Sequence, residues 1–266
     1  MTKRVKAITK EGQELWILVP NVRVYSFALN NAKTTFLELF YCFAPILTRA
    51  KAKKLTKQEK RKLIETKKRA LIELDNKVVS LKYLARECQK QGKLLLTKKD
   101  SKKRIYDYKP YQIFLALCES YLDILHSIYD CITKLDKLLG QKFAKSINEE
   151  QWFKIDIDLR NVFHHNQSPL LTVGNGVLLF TFERLPKSPK FLKESMKNKN
   201  GYYEFSLDCK DLAKDILDFL NNWAKKYIDL IDENETVNTV IGHHEDGRIK
   251  FKKVALMELK KIAHIT

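Results

Sequence analysis

The run Asp158-Leu159-Arg160-Asn161-Val162-Phe163-His164-His165-Asn166-Gln167-Ser168-Pro169 gathers an arginine, an amide and two histidines into one short amphipathic segment, which Pro169 brings to a stop. Arginine is a permanent cation whose fork of donors matches a phosphate. Histidine both takes and gives a proton near neutrality. These are the groups that cleavage of an RNA phosphodiester needs without a metal. One imidazole removes the proton of the 2′-hydroxyl and a second protonates the leaving 5′-oxygen. The guanidinium stabilises the extra negative charge of the phosphorane-like transition state.

Each of these residues also has a structural use. Arg160 is spaced to pair with Asp156, four residues earlier on a helix. His164 and His165 suit a helix C-terminus, where cationic side chains meet the negative end of the dipole. On an ideal helix Arg160 and His164 share a face, whereas His165 is turned away by about 140°. Using Arg160 with His165 therefore asks the helix to loosen near His164, or a second subunit to supply the other group.

The segment must be positioned by helices. Thr35–Leu47 is the apolar part of a buried helix expected from about Val22, with Phe27, Phe36, Leu39, Phe40 and Phe43 in its core and Pro45 near its end. Thr56 and Glu59 form a capping-box pair. Beyond them Leu71, Leu74, Val78, Leu81, Ala85 and Cys88 step by three and four, one seam of a long helix ending at Gly92. A helix from Leu55 to Gln91 is about 55 Å long and needs an equally long partner. That partner is expected from Pro110 to Gly140, with Leu117, Tyr121, Ile124, Leu125, Ile128, Leu135 and Leu138 inward.

A third helix is expected to start at Ser146, with Glu149 completing a capping box, and to run to about His164. Ile155, Ile157 and Leu159 also alternate as a strand would, but Trp152, Ile155, Leu159, Val162 and Phe163 fit one helical face. A hairpin follows, Leu170–Val173 and Val177–Phe182 around Gly174-Asn175-Gly176, then a loop over 184–201 and a strand at Tyr202–Leu207. Asp208 caps an amphipathic helix with Leu212, Ile216, Phe219, Leu220, Trp223, Tyr227 and Ile231 inward. The last residues read as a hairpin around Asp246-Gly247 and a short helix, and Glu14–Val19 as an early strand.

The fold class expected is mainly α: a long-helix bundle with a small antiparallel hairpin or sheet, about 170–207, inserted before the last long helix. Residues 1–235 form the helical domain and 236–266 a small appendage.

With 266 residues, 44% hydrophobic and 31% charged, the chain can bury a sizeable core and is not disordered. Its net charge of +18 favours a polyanionic partner, nucleic acid before membrane. Lys53, Lys54, Lys57 and Arg61 in one basic run, and Lys102, Lys103 and Arg104 in another, are the candidates for gripping RNA phosphates. A solvated helix face is the alternative use of the first run. Tyr106, Tyr108 and Tyr111 beside the second run are placed to stack on bases or to lie half-buried at a helix start.

Cys42, Cys88, Cys118, Cys131 and Cys209 are odd in number, widely spaced and without a Cys-x-x-Cys pair, so they read as buried, reduced thiols. His243-His244 before Glu245-Asp246 has no spaced partner to complete a ligand set and reads as a solvated turn. No secretory signal or membrane-spanning segment is expected, and the setting expected is cytoplasmic. Neither a cofactor nor a metal is expected.

Arg160-Asn161-Val162-Phe163-His164-His165 resembles the Arg-Asn-three residues-His signature of the HEPN superfamily, and the expected long paired helices resemble its architecture. The resemblance covers about six residues as a motif. It implies a helical, metal-independent endoribonuclease that leaves a cyclic phosphate, in a toxin or prokaryotic phage-defence system. The family spacing picks His165 beside Arg160, with Asn161 as orienting amide and His164 as secondary contact. It also implies a homodimer whose two motifs face each other across one cleft, so that one histidine in two copies supplies acid and base. An antitoxin or other defence-system protein is then an expected partner. Gln167 stands where one branch of the family has a tyrosine that its antitoxin modifies, which puts that pairing in doubt. The competing reading is a non-catalytic helical module that binds nucleic acid or protein through its basic face.

Overall fold

The structure, a computed structural model, describes residues 3–8, 14–19, 35–44, 47, 56–97, 108–165, 170–174, 177–193, 196–243 and 249–262. In chain order these form strands β1 (Lys3–Ile8) and β2 (Glu14–Val19), then helices α1 (Phe36–Phe43), α2 (Lys57–Thr97) and α3 (Tyr108–Leu139). A 3-10 helix (Phe143–Glu149), α4 (Gln151–His165), β3 (Leu170–Gly174), β4 (Val177–Phe182) and β5 (Tyr203–Phe205) come next. The chain ends with α5 (Cys209–Ile228), β6 (Thr236–His243), β7 (Ile249–Ala255) and α6 (Leu256–Ile262). Helices dominate, and the sheet β3-β4-β5 is antiparallel and precedes α5.

The chain divides into two compact units. One is residues 49–223; the other joins 1–48 to 224–266.

In the larger unit α2 and α3 form an antiparallel pair. Early α2 meets late α3 through Glu73 and Lys134 (3.0 Å), and late α2 meets early α3 where Gly92 approaches Phe114. Thr56 starts α2 as its spacing suggests: its backbone N–H donates to Glu59, whose own N–H donates back to the Thr56 hydroxyl at 3.3 Å. The seam Leu71, Leu74, Val78, Leu81, Ala85, Cys88 is buried.

Gly92 does not end the helix. α2 continues to Thr97, about 60 Å in all at 1.5 Å per residue. A Cβ at Gly92 would sit 3.4 Å from both Leu178 Cδ1 and the Phe114 ring, so the residue is small because β4 and α3 both press on it. α3 starts at Tyr108, leaving Pro110 in the first turn, where its missing N–H costs nothing. It ends at Gly140, whose φ of 77° is the left-handed turn that glycine adopts freely.

The segment expected to open a helix at Ser146 is the 3-10 helix instead, and α4 begins only at Gln151. Asp136 decides this. Its buried carboxylate accepts the Ala144 N–H at 2.6 Å and the Trp223 indole N–H at 2.9 Å, pinning this segment and α5 to α3. Ser146 Oγ donates to the Phe143 carbonyl rather than capping α4. The Ile155–Leu159 alternation is helical. Trp152 and Leu159 are buried, and Trp152 meets Phe219 of α5 edge-on at 5.6 Å.

The sheet closes over the end of α4. Val162 packs with Phe182, Leu192 and Tyr203, and the Phe163 ring meets Phe180 edge-on at 5.6 Å. The loop after β4 is drawn onto α4 by Asp158, which is fully buried. It accepts the backbone N–H groups of Lys190 (2.8 Å), Phe191 (2.7 Å) and Leu192 (2.8 Å).

In the smaller unit, Thr35 and Glu38 make a reciprocal cap for α1. The Phe40 ring packs on Tyr227 at 5.0 Å, and β6 and β7 pair with a bulge between Val240 and Gly242. β2 is the expected Glu14–Val19 strand, paired antiparallel with β1, and α6 is the short terminal helix. The helix expected over 22–34, Pro45, and the turns at 175–176 and 246–247 lie outside the described residues. Among the described residues no helix is long and apolar enough to cross a membrane.

Candidate functional site

Arg160 lies on the turn of α4 between Asp156 and His164, and the geometry around it combines α3 and α4. Its Nε stands 3.5 Å from Asp123 Oδ1 of α3, within ion-pair distance but without hydrogen-bond geometry. The Arg160 side chain is 28% exposed and Asp123 is 51% exposed, so the pair sits at the rim of the helix contact. The helical spacing suggested Asp156 as the partner of Arg160. The ion pair instead runs between helices, and Asp156 lies on the inner side.

Asp156 is fully buried, and neither carboxylate oxygen has a hydrogen-bond partner among the described residues. Burial without compensating donors favours the neutral acid. It pushes the Asp156 pKa up to about 8, against the pull of Arg160 and with a smaller push from Asp123. His126 Nδ1 of α3 lies 3.9 Å from Asp156 Oδ2. Burial first, and the positive charge of Arg160 second, hold His126 below the usual imidazole range. Both shifts run toward neutral forms, so near pH 7 this contact joins an imidazole to a carboxylic acid rather than two ions. The ring of His126 lies 5.9 Å from Tyr129, which packs on Phe153 at 4.8 Å.

Arg160, Asp123, Asp156 and His126 thus form one polar cluster at the α3–α4 contact. It holds a guanidinium, a rim carboxylate, a buried proton donor and a neutral imidazole. Asn161 is half-buried beside it in sequence, and α4 stays helical through His165. The helix does not loosen near His164, so position 164 follows Arg160 by about one turn, whereas position 165 is turned about 140° from Arg160. The side chains of His164 and His165 lie outside the described residues. Of the cluster, the sequence singles out Arg160, as the cation of the motif, and Asp156, only as its helical neighbour; Asp123 and His126 go unnoticed. Asp123 and His126 are three residues apart on one face of α3, a spacing with no meaning until α4 is docked against it.

Lys57 and Arg61 are exposed on the first turns of α2. Lys53, Lys54, Lys102, Lys103 and Arg104 lie outside the described residues. A second basic feature was not legible in the sequence. Between α2 and α5 a groove of about 390 Å³ is lined by Lys82, Arg86, Lys210 and Lys214, with Asp218 as its acid.

No family model, characterised protein or solved structure matches this chain.

Proposed function

We propose that the chain is a metal-independent endoribonuclease of HEPN type. The observation that carries this reading is the placement of Arg160: a partly buried guanidinium beside a rim carboxylate, a buried carboxylic acid and a neutral imidazole. A fixed cation facing the rim suits a phosphate whose charge grows in the transition state. In this reading Arg160 binds the scissile phosphate and Asn161 orients it. His165 is the acid–base group, and His164 is a secondary contact. Attack by the 2′-hydroxyl displaces the 5′-oxygen and leaves a cyclic phosphate. Because α4 stays helical through His165 and turns that position about 140° from Arg160, the reading needs a homodimer in which the same motif of a second copy completes the site. The setting proposed is cytoplasmic, in prokaryotic phage defence or a toxin system with a neutralising or activating partner.

Cleavage of labelled structured and unstructured RNAs in EDTA tests the proposal, with wild type beside His165→Ala and Arg160→Ala. The expected result is cleavage by wild type alone, with cyclic-phosphate ends, and loss of at least about 100-fold in each variant. Equal cleavage by all three proteins overturns it.

A second reading is supported by the groove between α2 and α5: a non-catalytic module that grips a polyanion. Lysines and arginines along a groove bind phosphates without sequence preference and with strong salt dependence. Charge reversal at Lys82 and Lys214 then weakens RNA binding and flattens its salt slope, while His165→Ala changes nothing.

A further inference from the structure

Cys88, Cys118 and Cys209 stand on α2, α3 and α5, far apart in sequence, yet their sulfur atoms all lie within 4.8 Å of one another. All three are buried, with 2%, 0% and 4% of their surface exposed. A lone buried cysteine behaves as a small hydrophobe. Cys131 does so elsewhere on α3, outside this group. Three sulfurs from three helices meet at one point, a spacing that a single ion could bridge.

We infer that Cys88, Cys118 and Cys209 bind one thiophilic closed-shell ion, zinc(II) or copper(I), which ties α2, α3 and α5 together. Metal–sulfur bonds of about 2.3 Å place three sulfurs roughly 3.8–4.0 Å apart around an ion. The present separations therefore close by under about 1 Å, within the reach of small side-chain rotations. Thiolate ligands select these ions over hard cations, which prefer oxygen.

The start of α5 has one feature that suits a thiolate ligand. Cys209 is the first residue of α5, whose Asp208 cap accepts the N–H groups of Lys210 and Asp211. A thiolate there faces the positive end of the helix dipole. Tyr121, three residues after Cys118, donates its hydroxyl to the Cys209 carbonyl at 2.9 Å and fixes the start of α5 against α3. The basic groove opens between the same two helices that carry Cys88 and Cys209, and Gln89 and Lys210 in its lining are their chain neighbours. Each ligating thiol gives its proton to solvent and no electron moves, so binding tightens as pH rises. The site is independent of the ribonuclease reading, since its ion is structural and touches no RNA.

The experiment loads the full chain, kept reduced, with zinc(II) in one arm and copper(I) in the other, each in competition with a chromophoric chelator. X-ray absorption at the metal edge then counts the sulfurs. The expected result in at least one arm is one ion per chain, three sulfurs at about 2.3 Å and a melting point raised by several degrees. Cys118→Ser weakens binding by at least about 100-fold, whereas Cys131→Ser leaves it unchanged. Failure of folded wild type to bind in both arms overturns the inference, as does a sulfur count below three. So does binding that survives in Cys118→Ser. Should that variant not fold, the sulfur count on wild type decides alone.

Discussion

Arg160 Nε and Asp123 Oδ1 stand 3.5 Å apart across the α3–α4 contact, so the one arginine of the motif is held by a carboxylate from another helix. If Arg160 binds the scissile phosphate as proposed, Asp123 both orients the guanidinium and competes with that phosphate. With half of Asp123 exposed, the pair is worth at most about 1 kcal/mol. Asp123→Asn is accordingly expected to tighten RNA binding by up to about 5-fold at low salt while hardly changing the melting point. Filter binding across a salt series checks it; weaker binding in the variant would show that orientation outweighs competition.

Asp156 ties stability to pH. Its folded pKa, about 8, lies above the ordinary carboxylate value, so between roughly pH 4 and 8 the folded chain holds a proton that the unfolded chain releases. Stability from this group is full below that window and is lost as pH rises through about 8. Asp156→Asn removes the titration. The variant is expected to gain on the order of several kcal/mol relative to wild type at pH 9, and little at pH 4. Urea denaturation at pH 4, 7 and 9 measures this, and parallel curves for the two proteins would refute it.

Lys67 pulls the other way over a higher range. It is buried in α2, and burial brings its pKa down to about 8. The unfolded chain then holds the extra proton between about pH 8 and the ordinary lysine value, so this contribution grows as pH rises. Lys67→Met is expected to remove the rise above pH 8 in the same denaturation series.

Asp158 belongs to the same stretch as Arg160 but holds the chain, not a substrate. Three backbone N–H groups of the loop after β4 end on its carboxylate. Asp158→Ala leaves the buried Leu192 N–H and the part-buried N–H groups of Lys190 and Phe191 without their acceptor, and is expected to cost about 2–4 kcal/mol. Trypsin should then cut at Lys187, Lys190 or Lys193 well before the helices. A loop that stays resistant would contradict this role.

Gly92 offers a test of packing. An alanine Cβ would just touch Leu178 and Phe114 at 3.4 Å, while the helix gains up to about 1 kcal/mol in propensity. Gly92→Ala should be neutral or mildly stabilising, and Gly92→Leu should lose about 1–3 kcal/mol by overpacking. Thermal melts of the two variants separate these outcomes.

Local chemistry made much of the fold legible in the chain. The Thr56–Glu59 cap, the seam from Leu71 to Cys88, the Asp208 cap and the β3–β4 hairpin are decided by neighbours a few residues away. These patterns survive in the sequence because helices and strands repeat them. Where a side chain answers to another element, the sequence is silent. Gly92 read as a stop because nothing nearby says that Leu178 and Phe114 will press on it. Ser146 read as a cap because the carboxylate of Asp136 had not yet claimed Ala144. Arg160, Asn161 and the two histidines were visible as a motif, while Asp123 and His126 became neighbours of Arg160 only when α3 and α4 docked. The three clustered cysteines carry no spacing signal at all. Their meeting is set by the register of three packed helices, and that register is fixed by burial summed over the core rather than by any short run of residues.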